Sequence, residues 1–172
     1  MTLLAGVALA ETLIQIVPSP VTIKWPNDVL AGGKKVAGIL IEISTEIDSI
    51  DYMIVGVGLN VNTPAGRFPA ELRERATSIA TEIGHRVDRT EILRVFLERL
   101  ERYYDLIGRK GFTPVIKRWR ELSDMSGRRV RVHSFDQPVE GSIAGIDEEG
   151  VLLVRASKGT LHRVIAGDIE YL

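Results

Sequence analysis

Apolar residues are spaced differently in successive parts of the chain, and this spacing predicts which parts form helices and which form strands. Within the first seventeen residues they recur every three to four positions, which predicts a helix over residues 2–17. The apolar face of this helix consists of Leu3, Val7, Ala10, Ile14 and Val17. The Pro-Ser-Pro sequence at 18–20 predicts where the helix ends.

Strands are predicted to follow this helix. Residues 21–25 form a short apolar segment that Pro26 ends. The glycine pair at 32–33 predicts a tight turn between segments 28–31 and 34–44, which together have the pattern of a β-hairpin.

A further predicted strand, residues 51–62, has two different faces. One face is apolar and belongs in the core: Val55, Val57, Leu59 and Val61. The opposite face carries Ile54, Gly56, Gly58, Asn60 and Asn62. Glycine within a strand often marks the close approach of a ligand or of another backbone. A bulge or a packed helix explains the glycines equally well, and the pattern is not a dinucleotide-binding fingerprint because no phosphate-binding helix begins directly after it.

The middle of the chain is predicted to be helical. After a loop over 64–70, one or two short helices end at Gly84. A longer helix begins at Asp88 or Thr90, because either side chain can cap its first turn. The segment 113–122 forms a last helix, with a proline tolerated in its first turn.

From Gly127 onward, short alternating strands replace the helical pattern. The turn signals between them are Asp136-Gln137-Pro138, Glu148-Glu149-Gly150 and Lys158-Gly159. Four or five strands in about 45 residues predict a small β-barrel of SH3 type. The sequence thus predicts an α+β fold with a mixed sheet and helices in domain 1–124, followed by an SH3-like domain over 125–172.

Composition narrows the possible partners and compartments. The 172 residues are 45% hydrophobic and 26% charged, and their net charge of -1 gives no reason to expect nucleic acid or a membrane as a partner. The absence of cysteine excludes disulfides and thiolate metal sites and fits a cytoplasmic protein. The three histidines are far apart in sequence, so no metal cluster is visible. No cation precedes the first apolar run, so a secretory signal peptide is not predicted.

The segment 24–42 carries most of the candidate chemistry. It begins with Lys24, Trp25, Pro26, Asn27 and Asp28 and continues, after the turn, with Lys34, Lys35 and Gly38. A lysine beside a glycine at a strand start can hold an anionic group against the sheet, and a nearby carboxylate can orient an amine or help hold Mg²⁺. Solvated turn lysines, a core tryptophan and Asn-Asp turn chemistry explain the same residues, and spacing alone does not decide between these interpretations.

This segment, KWPNDVLAGGKKVAGILIE, resembles the signature of the biotin protein ligases. VGVGLNVN at 55–62 resembles the next segment of that family, ATSI at 76–79 resembles a short block after it, and the final strands resemble its C-terminal domain. The resemblance implies a catalytic domain similar to class II aminoacyl-tRNA synthetases, of the biotin/lipoate ligase type.

The resemblance also implies a two-step reaction. Biotin and Mg-ATP form biotinyl-5′-AMP, and a lysine of a biotin carboxyl carrier protein or domain then attacks this adenylate. By resemblance, Lys35 contacts the biotin carboxylate and the α-phosphate, and Asp28 positions the incoming amine. The other residues implied in substrate binding are Gly38, Ile39 and Leu40 for biotin, Asn60 and Gly58 for the adenylate, and Trp25 and Asn27 for the shape of the site.

The sequence also departs from the family pattern. Related ligases carry a Gly-Arg-Gly-Arg-type loop and a Ser-Thr-Asn segment before the first helix, and neither is present here. We therefore expect a truncated gene product or one half of a split enzyme, with little activity alone. Exposed sheet also predicts self-association, for example as a homodimer. Repressor activity is not expected, since the optional DNA-binding module of the family is absent as well. A lipoate-attaching relative and a non-catalytic interaction module remain as alternatives.

Overall fold

The computed structural model describes residues 1–46, 49–133, 138–157 and 159–172. Asp136 and Gln137 of one predicted turn, and Lys158 of another, lie outside the described residues. The predicted α+β class is confirmed: helices pack on one antiparallel sheet, and a second antiparallel sheet follows them.

The first helix and the first sheet match the predicted elements closely. Helix α1 covers Thr2–Ile14 and ends earlier than the predicted residue 17. The sheet has the order β1-β2-β3-β4, and all its strand pairs are antiparallel. Its strands are β1 Val21–Lys24, β2 Asp28–Ala31, β3 Lys34–Glu46 and β4 Ser49–Leu59. Parallel pairing is described only at an isolated bridge between Lys35 and Ala76.

Helix α1 is buried on nearly all sides, which explains its high apolar content. It contacts the strands on one side and two later helices on the other. Gly6 lies against the sheet, where an added Cβ would be 3.7 Å from carbon atoms of Ile23 and Ile39. This contact fixes one face of the sheet as the core face.

The helices of the middle region begin and end where capping residues predict. Helix α2, Ile79–Ile83, ends at Gly84 in a left-handed conformation (φ 83°). Helix α3, Arg89–Lys110, begins at Asp88, whose carboxylate accepts a hydrogen bond from the Thr90 N–H. Helix α4 covers Thr113–Leu122.

A shared carboxylate joins α1 to α3 and α4. Glu11 on α1 accepts hydrogen bonds from Tyr103 Oη and Arg118 Nε, both at 2.9 Å, and from Arg102 at 3.0 Å. The Glu11 side chain is only 14% exposed, so these donors replace most of its water.

The C-terminal strands form the second sheet. Its order is β8-β7-β6-β5-β9, with β5 Arg129–His133, β6 Val139–Ile146, β7 Leu152–Arg155, β8 Leu161–Val164 and β9 Asp168–Tyr171. The last predicted segment thus divides into two strands. Short antiparallel strands are what the SH3-type prediction requires, and the domain boundary near residue 125 stays a prediction.

Trp25 links the two sheets. It is 2% exposed, its backbone N–H points at Met125 Sδ at 3.1 Å, and its indole N–H donates to the Gly150 carbonyl at 3.1 Å. Lys24 adds a bond to the Ile169 carbonyl at 3.3 Å. The end of β1 is therefore anchored to the C-terminal strands. None of the described helices is both long enough and apolar enough to cross a membrane.

Candidate functional site

Three neighbouring strands bring a carboxylate and two glycines into one row. Asp28 on β2 pairs with Gly38 on β3, and Gly38 pairs with Gly58 on β4. Directly paired residues lie on the same face of a sheet. A Cβ on Gly58 would be 3.8 Å from the Gly38 carbonyl, so backbone alone forms the floor of this face. A flat ligand can therefore approach the sheet closely here.

A β-bulge brings Lys35 onto the same face. Val29 pairs with Ala37 and Leu30 pairs with Lys35, so Val36 is an extra residue in β3. Without the bulge, Lys35 would share the core face with Ala37. Instead, its Nζ lies 2.5 Å from Asp28 Oδ1 and 3.2 Å from the position of a Cβ on Gly38. The glycine thus leaves the space that the lysine side chain occupies.

The Lys35–Asp28 ion pair lies at the boundary between protein and solvent. The Lys35 side chain is 49% exposed, and the Asp28 side chain is 19% exposed. Asp28 Oδ1 has no hydrogen bond of ordinary geometry among the described residues, although the ammonium is close to it. An anionic ligand can reach the ammonium from the exposed side and compete with Asp28 for it.

Backbone bonds hold Asn60 next to this face, just beyond the end of β4. Its N–H donates to the Val36 carbonyl at 2.9 Å, and its carbonyl accepts from the Ile79 N–H at 3.0 Å. The structure thus brings Asn60, Gly58 and Gly38 to one end of the sheet.

Asn62 has a different environment from the one its position in the alternating pattern suggested. It is 8% exposed, its side-chain amide donates to the Val87 carbonyl at 2.9 Å, and its amide oxygen accepts from the Val87 N–H at 3.0 Å. Because β4 ends at Leu59, the strand alternation does not extend to this residue. Asn62 therefore anchors the loop before α3.

The remaining predicted residues divide between the two faces. Leu40 is 62% exposed on the face of Gly38, whereas Ile39 is 2% exposed in the core. The Ile39 side chain therefore lies away from the glycine face, and the N–H and carbonyl of Ile39 are both bonded to Asn27. The Asn27 carbonyl accepts from the Ile39 N–H at 2.9 Å, and its side-chain amide donates to the Ile39 carbonyl at 3.0 Å. Asn27 thus fixes β2 against β3.

Trp25 lies at the junction with the C-terminal strands rather than on the glycine face. It lines a cavity of about 480 Å³ together with Pro26, Phe112 and Gly150. Another cavity, of about 350 Å³, lies between α4 and β6 beside Trp119 and Met125. None of the other predicted site residues lines either cavity.

One element of the site was identified in the sequence without a role. The ATSI block at 76–79 comes after β4 in the chain, and its start forms an isolated bridge with Lys35. Both backbone polar groups of Lys35 are bonded to residues that flank Ala76. The Lys35 N–H donates to the Arg75 carbonyl at 2.7 Å, and the Thr77 N–H donates to the Lys35 carbonyl at 2.9 Å. The motif itself was the signal, but its partner strand is visible only in the fold.

Two family models match the chain. Residues 1–60 match the biotin/lipoate A/B protein ligase family, and residues 125–171 match the biotin protein ligase C-terminal domain. The two matches lie in the two halves that the first and second sheets occupy.

Curated relatives support the same assignment. The chain is 36% identical over 170 residues to the bifunctional ligase/repressor BirA of Bacillus subtilis, covering 99% of this chain and 52% of the relative. It is 34% identical over 177 residues to the biotin--[acetyl-CoA-carboxylase] ligase of Mycobacterium tuberculosis, of which 62% is covered. The chain thus spans about half of BirA.

Solved structures agree with these sequence matches. The biotin protein ligase from Aquifex aeolicus has a TM-score of 0.86 at 29% identity, over 99% of this chain and 73% of that one. The structure of the same ligase with biotin and ATP has a TM-score of 0.83 at 27% identity, over 99% of this chain and 70% of that one. The resemblance seen in the sequence is confirmed: this chain belongs to the biotin protein ligase family.

Proposed function

We propose that this chain carries the adenylate-binding half-site of a biotin protein ligase. The observation that supports this most directly is the position of Lys35, which the β-bulge turns onto a glycine-floored face beside Asp28. The similarity to a ligase whose structure holds biotin and ATP supports the choice of substrates. In this proposal, biotinyl-5′-AMP lies across Gly38 and Gly58.

Lys35 has the charge that the first step needs. A biotin carboxylate oxygen attacks the α-phosphorus of ATP, a P–O bond forms, and the bond to pyrophosphate breaks. Both reactants are anions, so a fixed ammonium beside them lowers the barrier. Lys35 contacts the biotin carboxylate and the α-phosphate, and its half-exposed side chain leaves the ammonium open to them.

Asp28 acts in the second step. The carrier lysine amine attacks the acyl carbon of the mixed anhydride, an amide forms, and AMP leaves. While the phosphate holds the Lys35 ammonium, the Asp28 carboxylate is free to accept a hydrogen bond from the incoming amine. One ion pair thus supplies the two groups that the two steps require.

The glycine face and its neighbours bind the rest of the adenylate. Gly58 and Gly38 allow the ligand to touch backbone, and Leu40 presents an exposed apolar side chain on the same face for biotin. Asn60 contributes at the end of β4, where its backbone is fixed on both sides.

Mg²⁺ enters this site with ATP. Among the described residues, no three Asp, Glu or His side chains converge on a metal position. Asp28 is the single carboxylate of the row, so phosphate oxygens and water would be the main ligands of the ion, as magnesium prefers. Magnesium chemistry thus fits the residues only as a complex with the nucleotide.

Two partners follow from the proposed reaction and the exposed sheet. The first is a biotin carboxyl carrier protein or domain that presents a lysine to Asp28. The second is a further polypeptide surface against β4, such as a second copy of this chain or a separate polypeptide that extends the sheet. Strand β4 is at the edge of the sheet, and Ile50, Tyr52 and Ile54 on it are each at least half exposed.

Isothermal titration with biotinyl-5′-AMP tests the proposal, with lipoyl-5′-AMP as the matched competitor. We expect saturable binding of the biotin adenylate and much weaker binding of the lipoyl adenylate. Transfer to a biotin carboxyl carrier domain, followed by the mass of the carrier, then reports the second step. A folded chain that binds neither adenylate would contradict the proposal, and preference for the lipoyl adenylate would indicate a lipoate-attaching protein instead.

A further inference from the structure

The carboxylate of Glu82 on α2 bonds to two hydroxyl side chains: Ser19, which precedes Lys35 in the chain, and Thr77, whose backbone is bonded to Lys35. Glu82 Oε1 accepts a hydrogen bond from Thr77 Oγ1 at 2.6 Å, and Glu82 Oε2 accepts one from Ser19 Oγ. We propose that Glu82 is a positioning residue for Lys35: through the Thr77 hydroxyl, it holds the backbone that fixes where the ammonium lies. The proposal rests on the function proposed above for Lys35.

The backbone of Lys35 depends on a segment outside β2 and β4. The pairing of β3 with β4 ends at Ala37 and Leu59, before it reaches Lys35. On that side, the Arg75 carbonyl accepts the Lys35 N–H and the Thr77 N–H donates to the Lys35 carbonyl. The neighbouring bulge interrupts the regular ladder to β2, so these two bonds carry much of the positional restraint on Lys35.

Thr77 transmits this restraint to Glu82. Thr77 is 1% exposed, so its hydroxyl needs a partner inside the protein, and Glu82 supplies that partner. The Glu82 carboxylate has two acceptor oxygens, so it bonds the Thr77 and Ser19 hydroxyls at the same time. The carboxylate therefore holds Thr77 in the position from which its N–H reaches Lys35.

The second oxygen of Glu82 reaches the turn that precedes β3. This oxygen bonds to Ser19, which lies against Gly32. A Cβ added to Gly32 would be 3.5 Å from Ser19 Cβ and 3.7 Å from Glu82 Oε2. The Gly32 N–H donates to the Pro20 carbonyl at 2.9 Å, which fixes the same turn. One carboxylate thus joins the turn before Lys35 to the segment beside it.

Helix α2 is itself attached to the other end of the proposed site. The Ile79 N–H donates to the Asn60 carbonyl at 3.0 Å, and the Ala80 N–H donates to the Val61 carbonyl at 2.9 Å. Ser78 caps the helix by accepting from the Thr81 N–H at 3.1 Å. Residues 75–82 therefore hold Lys35 and Asn60 in a fixed relation, which an adenylate that contacts both would require.

The test compares Glu82→Ala and Glu82→Gln with the control Glu74→Ala, an exposed acid in the same segment. Two quantities are measured: the affinity for biotinyl-5′-AMP by titration calorimetry, and the hydrogen exchange rate of the Lys35 amide by NMR. For Glu82→Ala we expect about tenfold weaker binding, as for the loss of a hydrogen bond to a charged group. The Lys35 amide should also exchange faster than in the unchanged protein, and this increase should exceed any increase at core amides. Glu82→Gln should keep most of the adenylate affinity and most of the slow exchange at Lys35, because its amide oxygen can accept from Thr77 and its N–H groups can donate to Ser19. Glu74→Ala matches the unchanged protein.

Thr77→Val removes the same bond without changing α2, so it serves as the test if Glu82→Ala does not fold. Unchanged Lys35 exchange and unchanged affinity in either variant would overturn the proposal. Loss of binding in Glu82→Gln as large as in Glu82→Ala would overturn it as well, since it would show a need for the charge rather than for the bond. If the unchanged protein does not bind the adenylate, the proposed function fails, and unaltered Lys35 exchange in Glu82→Ala would separately exclude the positioning role.

Discussion

Lys35 Nζ lies 2.5 Å from Asp28 Oδ1, and these two charges are seven positions apart in the sequence. The pair is half exposed on the lysine side, so its net contribution to the free energy of unfolding is small. In the proposed function, the pair keeps a cation and a carboxylate together on a face where an anionic ligand can separate them.

Lys35→Ala should weaken the binding of biotinyl-5′-AMP by about 10- to 100-fold, since one charge-assisted contact to a phosphate is lost. Lys34→Ala is the matched control, because it removes the same charge one residue earlier on β3. Titration calorimetry of both variants decides the matter. Equal losses would mean that net charge rather than the position of Lys35 determines binding.

Gly38→Ala should reduce adenylate affinity by at least about tenfold while changing the free energy of unfolding by less than about 1 kcal/mol. The new Cβ would be 3.2 Å from Lys35 Cε and Nζ, the flexible end of a side chain that can move away at little cost. The ammonium would then leave its place beside Asp28.

Gly66→Ala is the control for this substitution, because among the described residues, apart from its two chain neighbours, no atom lies within 4 Å of the Cβ position at Gly66. Denaturant unfolding and adenylate titration are measured for both variants. Unchanged affinity in Gly38→Ala would show that neither the ligand nor Lys35 needs the open space.

Trp25→Phe and Trp119→Phe should differ in their effect on stability, although both indoles are 2% exposed. The Trp25 N–H donates to the Gly150 carbonyl, whereas Trp119 Nε1 is buried without a hydrogen-bond partner among the described residues. Loss of the bonded N–H leaves a carbonyl unpaired and should cost about 1–2 kcal/mol, and loss of the other N–H should cost much less.

Urea unfolding curves of the two variants give the comparison directly. If Trp119→Phe costs as much as Trp25→Phe, the Trp119 N–H is bonded in solution by water or a ligand in the cavity between α4 and β6.

Stability should fall above about pH 10 in part because of Tyr103. Burial, together with the hydrogen bond to Glu11, raises the pKa of the Tyr103 phenol above its ordinary value of 10.0. Between pH 10 and the raised pKa, the unfolded chain has lost this proton and the folded chain has kept it. The unfolded state then binds fewer protons, so the free energy of unfolding decreases as pH rises.

Tyr103→Phe should therefore be destabilised by about 1.5–3 kcal/mol at neutral pH, through loss of the bond to Glu11, and by less above pH 10. Denaturant unfolding at pH 7, 9, 10 and 11 tests this, with Tyr104→Phe as the control for an exposed phenol. Tyr171, whose pKa burial also raises, is present in both proteins and cancels in the comparison. A constant difference between the proteins at all pH values would contradict the prediction.

Local signals predicted most of the elements. The glycine pair at 32–33 predicted the β2–β3 hairpin because few other residues adopt its positive φ angles of 56° and 77°. Asp88 and Gly84 predicted a helix start and a helix end through capping. The family resemblance identified Lys35, Asp28 and the glycines as one group, and the structure brings Lys35, Asp28 and Gly38 into contact.

Tertiary packing determined the environments of side chains that the alternation of apolar and polar residues could not predict. Asn62 follows the pattern of a strand face, but β4 ends at Leu59 and the amide binds the backbone of Val87. Trp25 is adjacent to the site in sequence, but its two N–H groups point to Met125 and Gly150, which are 100 and 125 residues away. Burial of a large aromatic side chain at the junction of two sheets depends on contacts that no local pattern records.

The sequence by itself determined the helices, the hairpin, the family and the residue types of the site, because capping, turn geometry and hydrophobic spacing act over a few neighbouring residues. Only the tertiary structure decided on which face Lys35 lies. The extra residue Val36 reverses the alternation of side chains along β3, so Lys35 lies on the glycine face. Residues 75–77, about forty positions later in the chain, then hold Lys35 in this place by backbone hydrogen bonds.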